Sequence, residues 1–447
     1  MSLNEIFKAY DVRGKVGSEL NAEVAETIGR SFADWLPKTG PVAVGRDMRP
    51  DSKELADALI KGILTQGRDV WDIGEITSDM IYFAVGANQL AGGAVVTASH
   101  NPGEYNGIKF CKDEAQGIAE DTGLTDIRDR ASNNQFKPST KAGQVIYKDV
   151  TEAWIKHVLS FVDDSKLKPF KIVVDAGNGM AGKIFAELEP YVPFEVSEMY
   201  FELDGTFPNH IANPLEEKNL VDIKRKIKDV SADLGIAFDG DGDRAVLIDE
   251  NGMALSGTIM SAMLAEYILK QKPGSTIILN AICGQAAVDV INKHGGKLVR
   301  SRVGHSFIKN EMRKSQAEFA GEHSGHYYFK KNFMADSGMI AALLGLYVLS
   351  LSHKKLSELV KPYRDAYVAT NEINFEVKDK NKILQKTEKA FDPGSISHLD
   401  GLTVSTASGW FNVRPSNTEP LLRLNAEAKT KADLDQIIKK ARSLIEN

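Results

Sequence analysis

Four times along this chain a run of aliphatic residues stops abruptly in a loop of small polar residues, and that repeated junction limits the folds open to it. Ala94-Val-Val96 ends in Thr97-Ala-Ser-His-Asn-Pro102. Lys171-Ile-Val-Val174 runs into Asp175-Ala-Gly-Asn-Gly179, Leu234-Gly-Ile-Ala-Phe238 into Asp239, and Thr276-Ile-Ile-Leu279 into Asn280-Ala-Ile-Cys-Gly284. Short apolar runs of this kind are buried strands, and α/β sheets place their ligands beyond the C-terminal ends of such strands. Helix-spaced stretches lie between them, as in Leu20 to Leu36 and Ser52 to Leu64, with further strands at Val42–Val44 and Val70–Ile73. The alternation predicts an α/β chain with mixed, mostly parallel sheets covered by helices.

At 447 residues the chain is too long for one ordinary domain. The rhythm divides it into three α/β domains, 1–149, 150–250 and 251–367, with polar Asp163-Asp-Ser-Lys-Leu-Lys-Pro169 near the first junction. Beyond Tyr367 the texture changes to strands at Ile373–Val377, Leu402–Ser405, Trp410–Val413 and Leu421–Leu424, closed by a helix from Ala432 to Leu444. That predicts a small α+β domain over 368–447. A net charge of −6 argues against a general nucleic-acid or membrane-surface binder, although a local basic cleft still suits a small anion. Cys111 and Cys283 form no CxxC pattern and read as buried packing residues of a reducing compartment. The N-terminus shows no basic segment followed by an apolar one, and Met339–Leu351 is too short to span a bilayer, which predicts a buried helix. The expectation is a soluble, cytoplasmic protein with a small-molecule partner and neither nucleic acid nor membrane.

Four loops carry the chemistry. In TASHNPGEYNGIKF, Pro102 pushes Asn101 out of helical geometry, and the chain resumes an extended run at Ile108-Lys-Phe110. Ser99 and Lys109 then face one cleft, or else Ser99 caps a turn and Lys109 lies on a surface strand; on this loop alone the two are balanced. In Asp239-Gly-Asp-Gly-Asp-Arg244, alternate carboxylates with intervening glycines let three hard oxygen donors converge on a divalent cation. Asp239, Asp241, Asp243 and Glu250 also match calcium-loop spacing, but Arg244 stands where the tight turn needs glycine, which argues against an EF-hand. Gly321-Glu-His-Ser-Gly-His326 offers Glu322, Ser324 and two histidines to sugar hydroxyls, or is an ordinary polar turn; two histidines three apart also suit zinc, with no third soft ligand close by. Arg414-Pro-Ser-Asn-Thr-Glu-Pro420, followed by Arg423, has the guanidinium, hydroxyl and amide groups of a phosphate cradle, or is an ordinary Pro-bounded hairpin.

Together TASHNP, DGDGDR, GEHSGH and RPSNTEP resemble, in order, the four signature loops of the α-D-phosphohexomutases, and the resemblance runs from Asp11 to Arg423. IFKAYDVRG and DGTFPNH look most like the phosphomannomutase/phosphoglucomutase branch. The resemblance implies four domains around a central cleft, with Ser99 as the phosphorylated serine. Asp239, Asp241 and Asp243 would hold Mg²⁺, and a phosphate oxygen on Ser99 would complete the set. Glu322 and Ser324 would grip ring hydroxyls, while Arg414, Ser416, Asn417, Thr418 and Arg423 would bind the non-reacting phosphate. Arg13, Arg244 and Lys109 would stabilise the transferring group; Lys109, through a lowered pKa, and His305 are candidates for acid/base work, or each is only a phosphate-binding cation. Arg46 would add charge or pair with a nearby Asp.

The implied reaction moves a phosphate between the 1- and 6-positions of mannose or glucose through phospho-Ser99, with hexose 1,6-bisphosphate as intermediate and activator. The implied assembly is a monomer or weak homodimer. His323 and Ile211-Ala-Asn-Pro-Leu215 depart from forms common in the branch and leave the hexose open. The alternatives are a phosphoglucosamine mutase, a Mg²⁺-dependent sugar phosphatase, or a silent sugar-phosphate sensor.

Overall fold

The structure is a computed structural model that describes residues 3–136, 139–377, 379–415 and 421–446. The chain divides into two compact units, Met1–Leu255 with Gly325–Ser357, and Ser256–Ser324 with Glu358–Asn447. Both units therefore draw on residues 251–367.

The first unit contains two mixed sheets. In one, the parallel strands Gly92–Val96, Val42–Arg46, Val70–Glu75 and Val145–Tyr147 lie side by side, and Tyr105–Lys112 and Val12–Lys15 add antiparallel strands at the other edge. Central strands such as Gly92–Val96 are buried along their whole length, hence their unbroken apolar runs. Helices Ala22–Trp35 and Ser52–Thr65 lay Ile28, Phe32, Leu55 and Leu59 on this sheet, where Phe32 meets Phe110 with ring centroids 4.9 Å apart. Each such side chain contributes roughly 1.5–3 kcal/mol by leaving water.

In the second sheet, Leu234–Phe238 runs parallel to Lys171–Asp175 and is followed by an antiparallel partner, Ala245–Asp249. Phe238 pairs with Ala245, so residues 239–244 form a loop at the end of a hairpin. The helix Gly338–Ser352 packs beside Ala245–Asp249 and is buried through most of its length, as Met339–Leu351 suggested. Among the described residues no single helix is long and apolar enough to cross a membrane; only the pair Gly338–Ser352 and Leu356–Arg364, bent by 99°, matches by length and composition.

In the second unit, Lys297–Ser301, Thr276–Asn280 and Phe319–Gly321 are parallel neighbours. The C-terminal sheet is antiparallel and centres on Leu421–Ala428, Gly409–Pro415 and Leu402–Ser405. Its Phe411, Val413, Leu422 and Leu424 bury against Leu434, Ile437 and Ala441 of the helix Lys431–Ile445, which Thr430 caps.

Candidate active site

Ser99 follows the buried strand Gly92–Val96 and sits in the left-handed region at φ +51°, which costs a non-glycine residue about 1–2 kcal/mol. Its backbone N–H donates to Thr97 Oγ1 at 2.9 Å, and its hydroxyl donates to Asp239 Oδ2 at 2.8 Å. His100 Nδ1 lies 3.1 Å from the same hydroxyl. Ser99 is only 4% exposed. The two readings of this loop are separated here, because the hydroxyl faces a carboxylate 140 residues away instead of capping its own turn.

Asp239 and Asp241 are fully buried, and the three loop carboxylates bring oxygens within 4.8 Å of one another. Gly242, at φ +74°, closes the loop so tightly that a Cβ there would lie 2.6 Å from Thr77 Cγ2. Three carboxylates face two buried cations. Lys109 Nζ donates to Asp241 Oδ2 at 2.6 Å and Asp243 Oδ2 at 2.7 Å. Arg244 binds Asp239 Oδ2 through Nη2 at 2.9 Å and Nε at 3.0 Å, and also contacts His100 Nδ1. His326 Nε2 lies 3.4 Å from Asp243 Oδ1.

These neighbours set the charges. Burial raises the Asp239 carboxyl to about 7 despite Arg244. Burial and Asp243 would also raise Asp241, but Lys109 and Ser78 hold it below the usual carboxylate range. Burial acts the same way on Asp243, where Lys109, His326 and Arg244 win and hold it well below. Burial, with Arg244 and Arg13, holds His100 well below its ordinary value, so the imidazole is neutral. Lys109 reverses the expectation of a lowered pKa. Burial does pull it down, but Asp241 and Asp243 outweigh burial and hold the ammonium well above its ordinary value. The surroundings of this lysine are anionic, not cationic.

The trio suits a hard divalent cation. The donors are all carboxylate oxygens, and Asp241 Oδ1 is buried without a hydrogen-bond donor, an acceptor well placed for a metal ion. Glu250 takes no part, since Ser357 N donates to its Oε2 at 3.3 Å, consistent with the argument against an EF-hand. Ser78, at the start of helix Ser78–Asn88, braces the loop by donating from Oγ to Asp241 Oδ2 at 2.5 Å and from its N–H to the Asp241 carbonyl at 2.9 Å. Arg13 donates to Asn101 Oδ1 at 2.7 Å and pairs with Asp11 at 2.6 Å. Arg46 pairs with Glu75 at 3.7 Å, whereas the ion pair to Asp47 belongs to Arg49, at 3.3 Å.

His305, Glu322, Ser324, Arg414 and Arg423 belong to the second unit, and Ser324, the last residue of its segment Ser256–Ser324, is half-buried. Glu322 is buried, and its Oε2 accepts from Asn280 Nδ2 and Gly304 N–H, each at 3.2 Å. It thereby ties its loop to the N-cap, Gly304, of helix His305–Ser315, which His305 opens. His323 belongs to this unit and His326 to the first. Arg414 and Arg423 are cross-strand partners, and both meet Glu372, at 2.9 Å and 3.1 Å. Ser416, Asn417 and Thr418 lie outside the described residues. Sequence reasoning missed His100, Ser78, Arg49 and Glu372. His100 stands inside the quoted loop motif, but no spacing marked the other three.

A buried serine hydroxyl set against a carboxylate trio and two fixed cations defines a phosphoryl-transfer type of site. Family models agree: phosphoglucomutase/phosphomannomutase α/β/α domain I matches residues 4–138, domain II 152–252, domain III 256–367, and the C-terminal domain 372–443. A phosphomannomutase of Vibrio cholerae is 40% identical over 435 residues, covering 95% of this chain and 94% of that one. A phosphomannomutase of Escherichia coli K12 is 40% identical over 433 residues, covering 95% and 94%. A crystal structure of a phosphoglucomutase/phosphomannomutase family protein from Burkholderia thailandensis superposes with TM-score 0.92 at 31% identity, over 100% of this chain and 98% of that one. The chain belongs to the phosphoglucomutase/phosphomannomutase family and is a phosphohexomutase, an isomerase.

Proposed function

We propose that the enzyme moves a phosphoryl group reversibly between the 1- and 6-positions of a hexose phosphate, mannose or glucose, through phospho-Ser99 and a hexose 1,6-bisphosphate. The observation that carries this is the Ser99 hydroxyl, buried and 2.8 Å from Asp239 within a trio that two cations only partly neutralise. The sugar hydroxyl attacks phosphorus, the bond to Ser99 Oγ breaks, and the bisphosphate forms; after it turns over, its other phosphate returns to Ser99. Arg244 and Lys109 neutralise charge around the transferring group, and Arg13 steadies Asn101 beside it. Protonated Lys109 fits the acid side, stabilising Oγ as it leaves, and His305 is retained as the candidate base. Asp239, Asp241 and Asp243 would hold Mg²⁺, which supplies Lewis-acid polarisation of the phosphoryl oxygens.

In the same reading Glu322 and Ser324 bind ring hydroxyls. Arg414 and Arg423, pre-paired through Glu372, bind the non-reacting phosphate with Ser416, Asn417 and Thr418. The same reading divides the chain into four domains, 1–149, 150–250, 251–367 and 368–447, and the presence of four family-model segments, 4–138, 152–252, 256–367 and 372–443, supports it. The test is purified enzyme with Mg²⁺, a trace of hexose 1,6-bisphosphate and, in turn, the 1-phosphates of mannose, glucose and glucosamine. Conversion to the 6-phosphate of mannose or glucose is expected. Conversion of glucosamine 1-phosphate alone would reassign the substrate, and release of inorganic phosphate in place of the 6-phosphate would make the enzyme a phosphatase.

A further inference from the structure

The motif Asp204-Gly-Thr-Phe-Pro-Asn-His210 supplies none of the side chains assigned above to phosphate, metal or sugar, yet it lies against the loop that carries Ser99: a Cβ on Gly103 would sit 3.0 Å from the Gly205 carbonyl oxygen. It is anchored to the end of strand Lys171–Asp175: Asn209 Nδ2 donates to Asn178 Oδ1 at 2.8 Å, and His210 Nε2 lies 3.1 Å from Asp175 Oδ2. Gly205 approaches so closely that a Cβ there would sit 2.5 Å from Arg49 Cα. The Phe207 ring lies under the Arg49 guanidinium, 5.1 Å from its centroid.

Arg49 is 3% exposed, and its guanidinium collects four carbonyls of one loop. Nη2 donates to the carbonyls of Ser99 at 2.9 Å and Asn101 at 2.6 Å, and Nη1 to those of Pro102 and Tyr105, both at 2.9 Å. A planar five-donor fork can gather four acceptors in this way, whereas an ammonium cannot. Gly240 also packs closely on the Ser99 carbonyl, since a Cβ there would lie 2.4 Å from its oxygen.

We infer that Arg49, seated on Phe207, is a positioning residue for the reaction: by anchoring these carbonyls it holds Ser99 in the left-handed conformation that turns its hydroxyl onto Asp239. DGTFPNH thus serves catalysis through Arg49, without touching substrate. The inference rests on the phosphoserine reading above.

The test compares wild-type enzyme with Arg49→Lys, which keeps the charge facing Asp47, with Phe207→Leu, and with Phe207→Tyr, which restores an aromatic face. Each is loaded with labelled phosphate on Ser99 and assayed for sugar-phosphate interconversion and for leakage to water. In the leak the phosphorus–Oγ bond breaks and a water oxygen takes the phosphoryl group, leaving inorganic phosphate and the serine hydroxyl. R49K and F207L are expected to lose about tenfold or more in kcat, because misplacement of a reacting group of even an ångström is costly. Their KM should stay within about twofold, since no substrate contact is removed. They should also leak a larger share of label, and F207Y should recover both properties. Unchanged kcat and leakage in R49K and F207L would overturn the positioning role. So would a loss that merely follows the folded fraction measured by circular dichroism. A wild-type enzyme that interconverts its substrate without ever carrying phosphate on Ser99 would instead sink the phosphoserine reading, and this inference with it.

Discussion

At the residue scale the proposed roles of Ser99 and Lys109 make separable predictions. Ser99→Ala removes the proposed phosphate carrier while leaving the carboxylate trio in place, so turnover is expected to fall by about a thousandfold or more with little change in melting temperature. A variant retaining a tenth of wild-type activity would contradict that. Lys109 is held well above its ordinary pKa by Asp241 and Asp243, so it stays charged across the neutral and mildly alkaline range. The profile of kcat/KM between about pH 6 and 9 should therefore show no alkaline loss owed to this lysine. An alkaline limb in wild type that disappears in Lys109→Arg would show that the lysine titrates. Much of this residue set was legible in the sequence, because Ser99, the three aspartates and Arg244 stand in short loops with their spacing intact. The charge state of Lys109 was not, since its carboxylate partners are 132 and 134 residues away. Arg49 was invisible for a related reason: its partners are main-chain carbonyls, which carry no residue signature.

At the scale of elements, the helix Ser78–Asn88 explains both what the loop Asp239–Arg244 leans on and why sequence patterning overlooked it. Residues 78 to 85 are all buried, so the helix has no polar face and no 3.6-residue alternation to announce it. Amphipathic helices such as Ala22–Trp35 were legible for the opposite reason. Ser78→Ala removes a hydroxyl that orients Asp241 and leaves all three carboxylates in place. It is expected to raise the Mg²⁺ concentration for half-maximal activity by about tenfold, with kcat at saturating Mg²⁺ near wild type. A metal titration that does not move would refute the bracing role.

One residue further on, Asp79 is buried and accepts from Thr77 Oγ1 and Ser337 Oγ, each at 2.5 Å. Burial raises its carboxyl to about 7 from the ordinary 3.8. Because the folded value lies above the unfolded one, the stabilisation it gives is complete below about pH 4 and is lost as pH rises through about 7. Asp79→Asn should flatten that part of the stability–pH curve, as read from urea midpoints at pH 6 and about pH 8. An unchanged slope between those two values would contradict the assignment.

Across the whole molecule, the order of the segments carries the most information. Four loops appear in the family's order, four family models match in the same order, and the curated relatives align along 94–96% of their own length. The hexose is not legible in this way, because relatives of one family share the order of their loops, and discrimination between similar sugars rests on the shape of a pocket. The central claim is that Ser99 carries the phosphate and hands it to the sugar. Its most direct measurement is a single turnover of enzyme labelled on Ser99, mixed with unlabelled glucose 1-phosphate or mannose 1-phosphate and quenched on the millisecond scale. The label should leave Ser99 and be found first in the hexose 1,6-bisphosphate. Label that remains on Ser99 while the sugar phosphate isomerises, or that emerges only as inorganic phosphate, would contradict the claim.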